Sequence, residues 1–445
     1  MKVVKTLKSK ITNHSRIFDA TLDIYNEALS FIIDVIDKEF VDIHNVSTET
    51  MIAAVERLIH TTKLNPLPKY QEFNIRFYKF PSYFRRAAIA SAFGKVKSHL
   101  TNLRNWEEER KIALSEGRKF KKKPPTLQLR HKDFPVFYKG NMFEKTSGST
   151  AKIKVFHNND WVWKEILFKE LDLYKRDVWN WKENNPKLVK VGKKYFLHFS
   201  YESRVKLNKV DIKEQTICAV DLGINNSAVC SVMDAKGTVL ARKFINQPKE
   251  KDRLYRMTSK LRKAQSVSGG VSAPNYWRRI NGIQTHIVHH TSSEIVKFAK
   301  ENGCHVIVFE YLDSMKMPKG FWGAKKLRFK LRYWRKKGIQ NKVTEMAHYT
   351  GIRISRINAH NTSALAFDGS GKVERNPRKD LATFTTGKVY HADLQASYNI
   401  GARYFIRGIQ KTIPEKKWLT IQANVPELSK RTLQTLSSLI SLNLA

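Results

Sequence analysis

Cysteine is almost absent from the chain. The sequence contains 3 cysteines in 445 residues, Cys218, Cys230 and Cys304, and none of them belongs to a Cys-x-x-Cys pair. This count excludes a disulfide framework and a cysteine-based zinc site of the ordinary kind. Each cysteine lies in or beside an apolar segment, where a free thiol behaves as a small hydrophobe. We therefore expect all of them to lie in the core.

Acidic residues are also scarce. The chain has 40 Asp and Glu against 81 Lys and Arg, which gives a formal net charge of +41. Such a charge would repel itself strongly in a free monomer and favours a polyanionic partner, of which nucleic acid is the first candidate. A basic surface that binds an anionic membrane loosely is the alternative.

Long hydrophobic runs are missing as well. No apolar run reaches the roughly 18 residues that a membrane span requires, and Met1-Lys-Val-Val-Lys lacks the apolar core of a signal peptide. We therefore expect a cytoplasmic protein with no membrane partner. The hydrophobic content of 41% is enough to form buried hydrophobic cores. The length of the chain suits roughly three domains of about 150 residues each.

The N-terminal part of the chain predicts a strand followed by helices. Residues 1 to 14 alternate apolar and basic side chains, a period typical of a half-exposed strand. From residue 15 to about 115, apolar residues recur at helical spacing, and the helical region is expected to end near residue 120. The run Gly117-Arg-Lys-Phe-Lys-Lys-Lys-Pro-Pro then breaks the pattern and predicts a loop.

The next segment, residues 121 to 212, predicts a small β domain that pairs with the N-terminal strand. Lys187 to Tyr201 reads as a hairpin with Gly192 and Lys193 at its turn. The amphipathic stretch from Trp161 to Trp181 predicts a helix within this domain.

After residue 213 the pattern becomes α/β, and an acidic residue stands at the end or edge of three apolar runs. Asp221 follows Ile217-Cys-Ala-Val, Glu310 follows Val306-Ile-Val-Phe, and Asp393 lies in Ala392-Asp-Leu-Gln-Ala-Ser. The first two runs predict strands that are buried on both faces. Asp221 and Asp393 could each cap a turn or a helix when taken alone, and Glu310 alone could pair with a buried arginine.

Taken together, these carboxylates predict a metal site. Converging carboxylates repel one another unless a divalent cation neutralises them, and Mg²⁺ prefers oxygen ligands, with Mn²⁺ as the alternative ion. Paired metals stabilise the attacking and leaving oxygens of a phosphodiester cleavage. The sequence therefore predicts a metal-dependent nuclease with Asp221, Glu310 and Asp393 as catalytic residues and metal ligands.

The same segments resemble the catalytic motifs of RuvC-like nucleases. Asp221-Leu-Gly-Ile-Asn with the following meander is similar to the first motif, and His289-His-Thr-Ser-Ser-Glu-Ile-Val ahead of Val308-Phe-Glu-Tyr-Leu is similar to the second. Ala392-Asp-Leu-Gln-Ala-Ser-Tyr-Asn-Ile is similar to the third. Their order and spacing resemble the transposon-encoded TnpB nucleases and the compact type V CRISPR effectors, firmly from about residue 213 to 405.

The resemblance implies a multidomain α+β fold that ends in an RNase H-like (RuvC) nuclease domain. Its implied parts are a first wedge strand (1–14), a helical recognition domain (15–120), a wedge β domain resembling a barrel (121–212), the nuclease domain in two pieces (213–362 and 389–410), an insert between them (363–388) and a C-terminal tail (411–445). The leucines of the tail predict a helix that packs back onto the nuclease domain, with a dimer helix as the alternative.

One departure concerns the insert. In most of the family the dipeptide that matches Thr362-Ser363 precedes two zinc-binding Cys-x-x-Cys pairs, and the matching positions here are Ala366, Gly369, Thr383 and Thr386. None of these residues replaces a thiolate ligand. We therefore expect no structural zinc. The insert folds without the metal, stays mobile or is ordered by nucleic acid, and its Gly, Asp, Asn, Pro and Lys content suits a flexible loop.

The resemblance further implies guide RNA and target DNA as partners, with base pairing supplying the sequence specificity. Within the resemblance, Asp221 is the central ligand, and Asp313 and Asn225 are candidates to support the ligands. A chain this short needs either a large RNA scaffold or a second copy of itself to cover a heteroduplex of roughly 20 base pairs. Basic side chains predicted to contact nucleic acid are Arg85, Arg86, Lys95, Lys121, Lys122, Lys123, Arg328, Arg332 and Arg335.

Two functions remain open at this point. The first is an RNA-guided DNA endonuclease, and the second is an RNA-guided DNA-binding protein that silences or recruits without efficient cleavage. Retention of all the carboxylates favours the enzyme, because a pure binder does not need a charge-dense, metal-requiring cluster. A resolvase-like or transposase nuclease without a guide is disfavoured, since it leaves the large basic N-terminal half without a role.

Overall fold

The computed structural model of the protein describes residues 1–13, 16–40, 48–129, 132–270, 272–313, 320 and 324–444. The chain divides into two compact units, an N-terminal unit (Lys2–Ser203) and a C-terminal unit (Arg204–Ala445 together with Met1). Both units contain helices and strands, so the architecture is mixed α/β and multidomain. In the part of the chain that is described, no helix combines the length and apolar character needed to cross a lipid bilayer.

The elements of the N-terminal unit follow the predicted change from strand to helix to strand. They are β1 (Lys2–Lys10), α1 (Arg16–Lys38), α2 (Thr48–Ile59), α3 (Glu72–Arg76), α4 (Ser82–Ser115), β2 (Phe143–Lys145), β3 (Thr150–His157), β4 (Asp160–Leu167), β5 (Lys182–Glu183), β6 (Lys187–Val191) and β7 (Lys194–Arg204).

Aromatic packing holds the helices of this unit together. Phe73, Phe77, Phe80 and Phe84 are buried one after another, and their rings lie edge to face or tilted at centroid distances of 4.9 to 6.3 Å. Rings in such arrangements contribute more than their buried area alone. The helical spacing of apolar residues between 15 and 115 is therefore confirmed in the described parts of that range.

The strands of this unit form two sheets. One has the order β1-β7-β5, with β6 also paired to β7, and the other has the order β2-β3-β4. The predicted pairing of the N-terminal strand is confirmed, and so is the hairpin, in which Gly192 turns the chain at a φ of 61° between β6 and β7. Only glycine adopts such a left-handed backbone without steric cost.

The predicted helix from Trp161 to Trp181 is wrong. Trp161, Val162 and Trp163 belong to β4, which pairs antiparallel with β3 through a turn at Asn158 and Asn159. Both asparagines have positive φ angles, 49° and 57°, as a tight hairpin turn requires, and asparagine tolerates that region better than most residues. Tryptophan and valine favour a pleated strand, and this preference outweighed the helical pattern.

The elements of the C-terminal unit alternate strands and helices. They are β8 (Ile217–Asp221), β9 (Ala228–Met233), β10 (Val239–Ile245), α5 (Pro248–Ser268), α6 (Pro274–Glu301), β11 (Val306–Tyr311), α7 (Ala324–Tyr333), α8 (Lys336–Tyr349), β12 (Arg353–Asn358), β13 (Glu374–Arg375), β14 (Leu381–Thr383), β15 (Val389–His391), α9 (Ala392–Gln410), α10 (Glu415–Asn424) and α11 (Leu436–Leu444).

A five-stranded sheet of order β10-β9-β8-β11-β12 forms the centre of this unit. The first three strands are the predicted antiparallel meander, while β11 runs parallel to both β8 and β12. Residues 217 to 220 of β8 and 306 to 309 of β11 are all buried. The prediction of strands covered on both faces is confirmed.

Helices cover the two faces. Ile295 of α6 and Val343 of α8 share one buried cluster with Cys218 and Cys230 on one face, while α9 packs on the other. All the cysteines are buried, as expected. On the second face, a Cβ atom at Gly401 would lie 3.1 Å from the Met233 sulfur, so a glycine lets α9 approach the sheet closely.

The C-terminal tail packs onto the same unit. Leu436, Leu439 and Leu442 of α11 lie in the buried cluster that contains Phe405 of α9. Arg403 of α9 hydrogen-bonds both to the end of β12 and to the tail. Its buried guanidinium donates to the carbonyl oxygens of Asn358 (3.1 Å), His360 (2.6 Å), Thr432 (2.9 Å) and Gln434 (3.2 Å). The tail is therefore part of the fold of this unit.

Candidate functional site

Strand register brings Asp221 and Glu310 side by side. Phe309 of β11 pairs with Val220 of the parallel strand β8, and the next residue on each strand is the acidic one. Parallel neighbours with the same register point their side chains to the same face. The two carboxylates therefore lie next to each other at the end of the central strands.

Asp393 comes to the same place from helix α9. It occupies the first turn of the helix, where His391 caps the N-terminus by accepting a hydrogen bond from the Asp393 amide (3.2 Å). Asn226, in the loop after β8, donates from Nδ2 to Asp393 Oδ2 at 3.0 Å. The loop after β8 and the start of α9 are thus joined at the carboxylate.

The carboxylates interact electrostatically. Burial raises the pKa of Asp221 well above its usual value, and the negative charges of Glu310 and Asp393 raise it further. Among the described residues, none donates a hydrogen bond to the Asp221 carboxylate. All three carboxylate residues keep part of their surface accessible. Burial and the neighbouring charges therefore disfavour the ionised form of Asp221, and a cation beside it would stabilise that form.

Glu310 is held by a hydroxyl group and faces a distant arginine. Its Oε1 contacts the Thr362 hydroxyl, which also lies 2.9 Å from the Ala359 carbonyl. Burial raises the pKa of Glu310, while Thr362 and the charge of Arg403 oppose that rise. Thr362 therefore links Glu310, on β11, to the loop that follows β12.

Two basic side chains face the acidic residues from other elements. Lys251 on α5 donates to the Asn225 carbonyl and to Asn246 Oδ1 (2.9 Å), and burial lowers its pKa to about 8 against the opposing charge of Asp393. Burial lowers the pKa of Arg375 on β13, and the negative charges of Asp393 and Asp221 oppose that shift. Neither forms a direct ion pair with the carboxylates among the described contacts, and the Arg375 guanidinium donates to the Ser363 carbonyl oxygen.

The donor set suits a hard divalent ion, because carboxylate oxygens are the ligands that Mg²⁺ prefers. Within the described residues, however, no group of three His, Cys, Asp or Glu side chains closes to metal-binding distances. Mg²⁺ commonly uses one or two carboxylates and completes its shell with water and substrate phosphate oxygens. The carboxylates therefore have the chemistry of Mg²⁺ ligands but do not form a closed protein cage among the described residues.

The structure distributes the predicted nucleic-acid residues unevenly. Arg85 is only 6% exposed, and its Nε lies 3.1 Å from Glu56, which Arg86 also approaches at 3.6 Å. Lys95 lies 3.9 Å from Asp133, and Arg335 donates to Gln284 and Asn281. Lys121, Lys122, Lys123, Arg328 and Arg332 are exposed, with Lys122 paired to Glu109.

The insert between residues 363 and 388 is compact, and the expectation of a flexible loop is wrong. Strands β13, β14 and β15 form a three-stranded sheet over a small core of Ala366, Ala382 and Phe384. The Phe367 ring packs edge to face against Phe384 and Tyr390, at centroid distances of 5.2 and 4.8 Å. Of the alternatives named from the sequence, the folded state is the one that the described residues of the insert adopt.

Backbone hydrogen bonds close two turns of the insert. Ala366 donates to Gly371 (2.9 Å) and Phe384 donates to Lys388 (2.8 Å). The rings of Phe367, Phe384 and Tyr390 link the segments that contain these turns.

Sequence reasoning missed several residues of the site. Asn226 contacts Asp393 where Asn225 was expected to support the ligands, and Asp313 pairs with Lys337 and Arg356, both at 3.5 Å. Thr362, Lys251 and Arg375 were also not predicted. A signal for Thr362 was available, since the Thr-Ser dipeptide was recognised in the family pattern, but nothing in the local sequence marks Lys251 among so many basic residues.

Comparison with known proteins supports the resemblance. The model of the Aq_aa04 family matches residues 5–157. TnpB-like protein aq_aa05 of Aquifex aeolicus (strain VF5) is 26% identical over 237 residues, which cover 48% of this chain and 75% of that protein.

The whole chain is also similar to solved structures. The structure of the mini-RNA-guided endonuclease CRISPR-Cas_phi3 is 12% identical, covers 89% of this chain and 92% of its own, and gives a TM-score of 0.51. A Cas12f1-sgRNA-target DNA complex gives a TM-score of 0.45 at 15% identity over 90% of this chain and 98% of its own. The chain is similar to TnpB-like proteins and has the fold of a compact type V effector, which confirms the resemblance predicted from its motifs.

Proposed function

We propose that the chain is an RNA-guided DNA endonuclease with a single RuvC-like site, in which Asp221, Glu310 and Asp393 hold Mg²⁺. Guide RNA pairs with target DNA next to a short flanking motif, and the site hydrolyses phosphodiester bonds. The observation that supports the proposal is that Asp221 and Glu310 end neighbouring central strands, and that the negative charges of Glu310 and Asp393 raise the pKa of the buried Asp221.

The residues around the carboxylates have distinct roles in this proposal. When bound, the ion supplies Lewis-acid stabilisation and an activated water. Asn226 orients Asp393, and Thr362 orients Glu310. Lys251 and Arg375 provide positive charge near the position that the scissile phosphate would take, and such charge stabilises a phosphate as its negative charge develops.

Charge and relatives support the proposed partners. The net charge of +41 is dispersed along the chain. This distribution is expected of a protein that binds nucleic-acid backbones, with sequence specificity supplied by base pairing of a guide. The similar solved structure is named a mini-RNA-guided endonuclease. By the same analogy, the proposed domains keep the boundaries predicted from the sequence, with recognition and wedge domains before residue 213 and an RNase H-like nuclease domain after it.

A second candidate function is RNA-guided DNA binding without efficient cleavage. The observation in its favour is that no described group of three acidic or other ligating side chains closes to metal-binding distances. The endonuclease is preferred, because a binder has no use for the repulsion that the clustered carboxylates create, and a phosphate would complete the shell of an ion held by fewer protein ligands.

One assay distinguishes the two candidate functions. The full chain is copurified with its RNA, the RNA is sequenced, and a duplex that matches the guide is incubated with the complex and Mg²⁺, beside an Asp221→Ala variant and a duplex of scrambled sequence. The endonuclease predicts cutting of the matched duplex by the wild type alone. Equal binding without cutting by either protein would support the second candidate, and a preparation without a defined RNA would contradict both.

A further inference from the structure

Helix α9 carries a row of polar side chains that are buried. Gln395, Asn399 and Arg403 lie four residues apart, so they share one face of the helix. Gln395 and Asn399 are 0% exposed. Polar side chains are seldom buried to this extent unless hydrogen-bond partners hold them. The partners of this row therefore show what the face is for.

The row contacts the loop that follows β12. The Gln395 amide donates to the Ser363 carbonyl oxygen at 3.1 Å. The Asn399 amide donates to the carbonyl oxygens of Thr362 (3.0 Å) and Leu365 (2.8 Å). Since an amide group has two N–H bonds to donate, Asn399 has one for each of these carbonyls.

The oxygen of the same amide has no partner. Asn399 Oδ1 is buried and accepts no hydrogen bond among the described residues. A buried oxygen without a donor costs stability. Asparagine at this position is therefore a compromise, and departures from the most stable choice are expected at functional positions.

The loop in turn contacts a carboxylate of the candidate site. Thr362 is 2% exposed, and its hydroxyl contacts Glu310 Oε1 while its carbonyl accepts the bond from Asn399. A single residue thus connects α9 with the Glu310 side chain. The same helix carries Asp393 in its first turn, so α9 bears one carboxylate directly and reaches another through the loop.

We propose that Asn399 and Gln395 are positioning residues for Glu310, which they orient through Thr362. The inference rests on the proposed function, in which Glu310 is a metal ligand, and it goes further by assigning a role to side chains remote from the ion and the DNA. Because Asp393 lies on the same helix, α9 sets the spacing between two of the ligands. Groups that orient a ligand change metal affinity by roughly 10- to 100-fold.

The test measures metal affinity without cleavage. Mn²⁺ is titrated into the RNA-bound full chain in the absence of DNA, and the free ion is quantified by electron paramagnetic resonance. An Asp221→Ala complex carries the same RNA and lacks the central ligand. Subtracting its titration removes the Mn²⁺ that is bound by the RNA and leaves the Kd of the carboxylate site.

A double-mutant cycle tests the path through Thr362. Asn399→Ala and Thr362→Val should each raise the Kd of Mn²⁺ about 10- to 100-fold, whereas Thr362→Ser keeps the hydroxyl and should bind like the wild type. The double variant should bind like Thr362→Val alone, because the path from Asn399 to Glu310 is then already broken.

Ser397→Ala is the matched control. Ser397 is also buried on α9, but its hydroxyl donates within the helix, to the Leu394 carbonyl oxygen at 2.7 Å. Its removal should leave the Kd of Mn²⁺ unchanged. If Asn399→Ala does not fold, Gln395→Ala, which removes a single bond to the loop, takes its place in the cycle.

Three results would overturn the positioning role: an unchanged Kd in Asn399→Ala, losses that multiply in the double variant, or an equal loss in Ser397→Ala. A wild-type complex that binds no more Mn²⁺ than Asp221→Ala does would instead overturn the proposed metal site. Crystal structures of the metal-free wild type and Asn399→Ala then decide the inference alone. It predicts a Glu310 carboxylate displaced in the variant, and an unmoved carboxylate would contradict it.

Discussion

The amide of Asn226 donates to the carboxylate of Asp393 across 167 positions of sequence, at 3.0 Å. The same Nδ2 lies 3.4 Å from His391 Nε2, so the loop after β8 and the cap of α9 meet at one side chain. This contact fixes the third carboxylate relative to the strand that carries the first. Groups that orient metal ligands in this way affect both metal affinity and rate.

Replacement of Asn226 therefore tests whether it positions a ligand. We expect Asn226→Ala to lower the cleavage rate roughly 10- to 100-fold and to raise the Mg²⁺ concentration needed for half-maximal rate. Asn226→Asp should be more damaging at low Mg²⁺, because it adds a negative charge beside Asp393. A rate loss without any shift in the Mg²⁺ dependence would mean that Asn226 serves only the fold.

Asp221 is predicted to destabilise the metal-free protein. Its folded pKa is raised by burial, Glu310 and Asp393, so the native state binds the proton more tightly than the unfolded state does. The contribution of Asp221 to the free energy of unfolding is therefore lost as the pH rises from the pKa of Asp221 in the unfolded state through its pKa in the folded state. Asp221→Asn should increase the free energy of unfolding at neutral pH in EDTA by roughly 1–3 kcal/mol.

Thermal unfolding with and without Mg²⁺ measures this effect. Mg²⁺ should raise the Tm of the wild type by mass action and leave Asp221→Asn almost unchanged. Glu427→Gln, at an exposed position of the same unit, is the matched control and should respond to Mg²⁺ like the wild type. An Asp221→Asn protein less stable than the wild type in EDTA would contradict the prediction.

The stability of the insert should depend on its aromatic core and not on zinc. Phe384 is 3% exposed and packs against Phe367 and Tyr390, so Phe384→Ala should destabilise the insert by about 3 kcal/mol. Hydrogen exchange of residues 363 to 391 measures this loss, and Val389→Ala, at an exposed position, is the control. Elemental analysis should find no stoichiometric zinc, and insert amides that lose protection on chelation would contradict the prediction.

Lys251 should give DNA binding a pH dependence. Burial lowers its pKa to about 8, so its positive charge is lost as the pH rises through that value. We expect the affinity of an RNA-bound Asp221→Ala protein for DNA in EDTA to fall severalfold across this step. In Lys251→Arg the step should vanish, because a guanidinium keeps its charge. If the fall in DNA affinity persists in Lys251→Arg, a titratable group other than Lys251 causes it.

The sequence predicted the parts of the site that local patterns encode. Asp221 and Glu310 end continuous apolar runs, and such runs are recognisable because strands buried on both faces have few polar residues. The hairpin at Gly192 and the meander after β8 were equally visible, since each has a turn residue between alternating segments.

Other features depend on contacts between distant segments and left little local signal. Trp161 to Trp163 carried a helical pattern, yet pairing with β3 made them a strand. The insert contained many loop-forming residues, and only the meeting of Phe367, Phe384 and Tyr390 revealed a core. Arg85 was one of many basic side chains until Glu56 was found beside it.

The most direct measurement compares the cleavage rates of Asp221→Asn, Glu310→Gln and Asp393→Asn with that of the wild type. All are assayed as RNA-bound full chains on the same matched duplex in saturating Mg²⁺, after equal DNA binding has been verified. The account predicts that each single substitution lowers the rate at least about 100-fold, because each removes a charge from the group that holds the ion. Any one of them cutting within about twofold of the wild type would contradict the shared metal site.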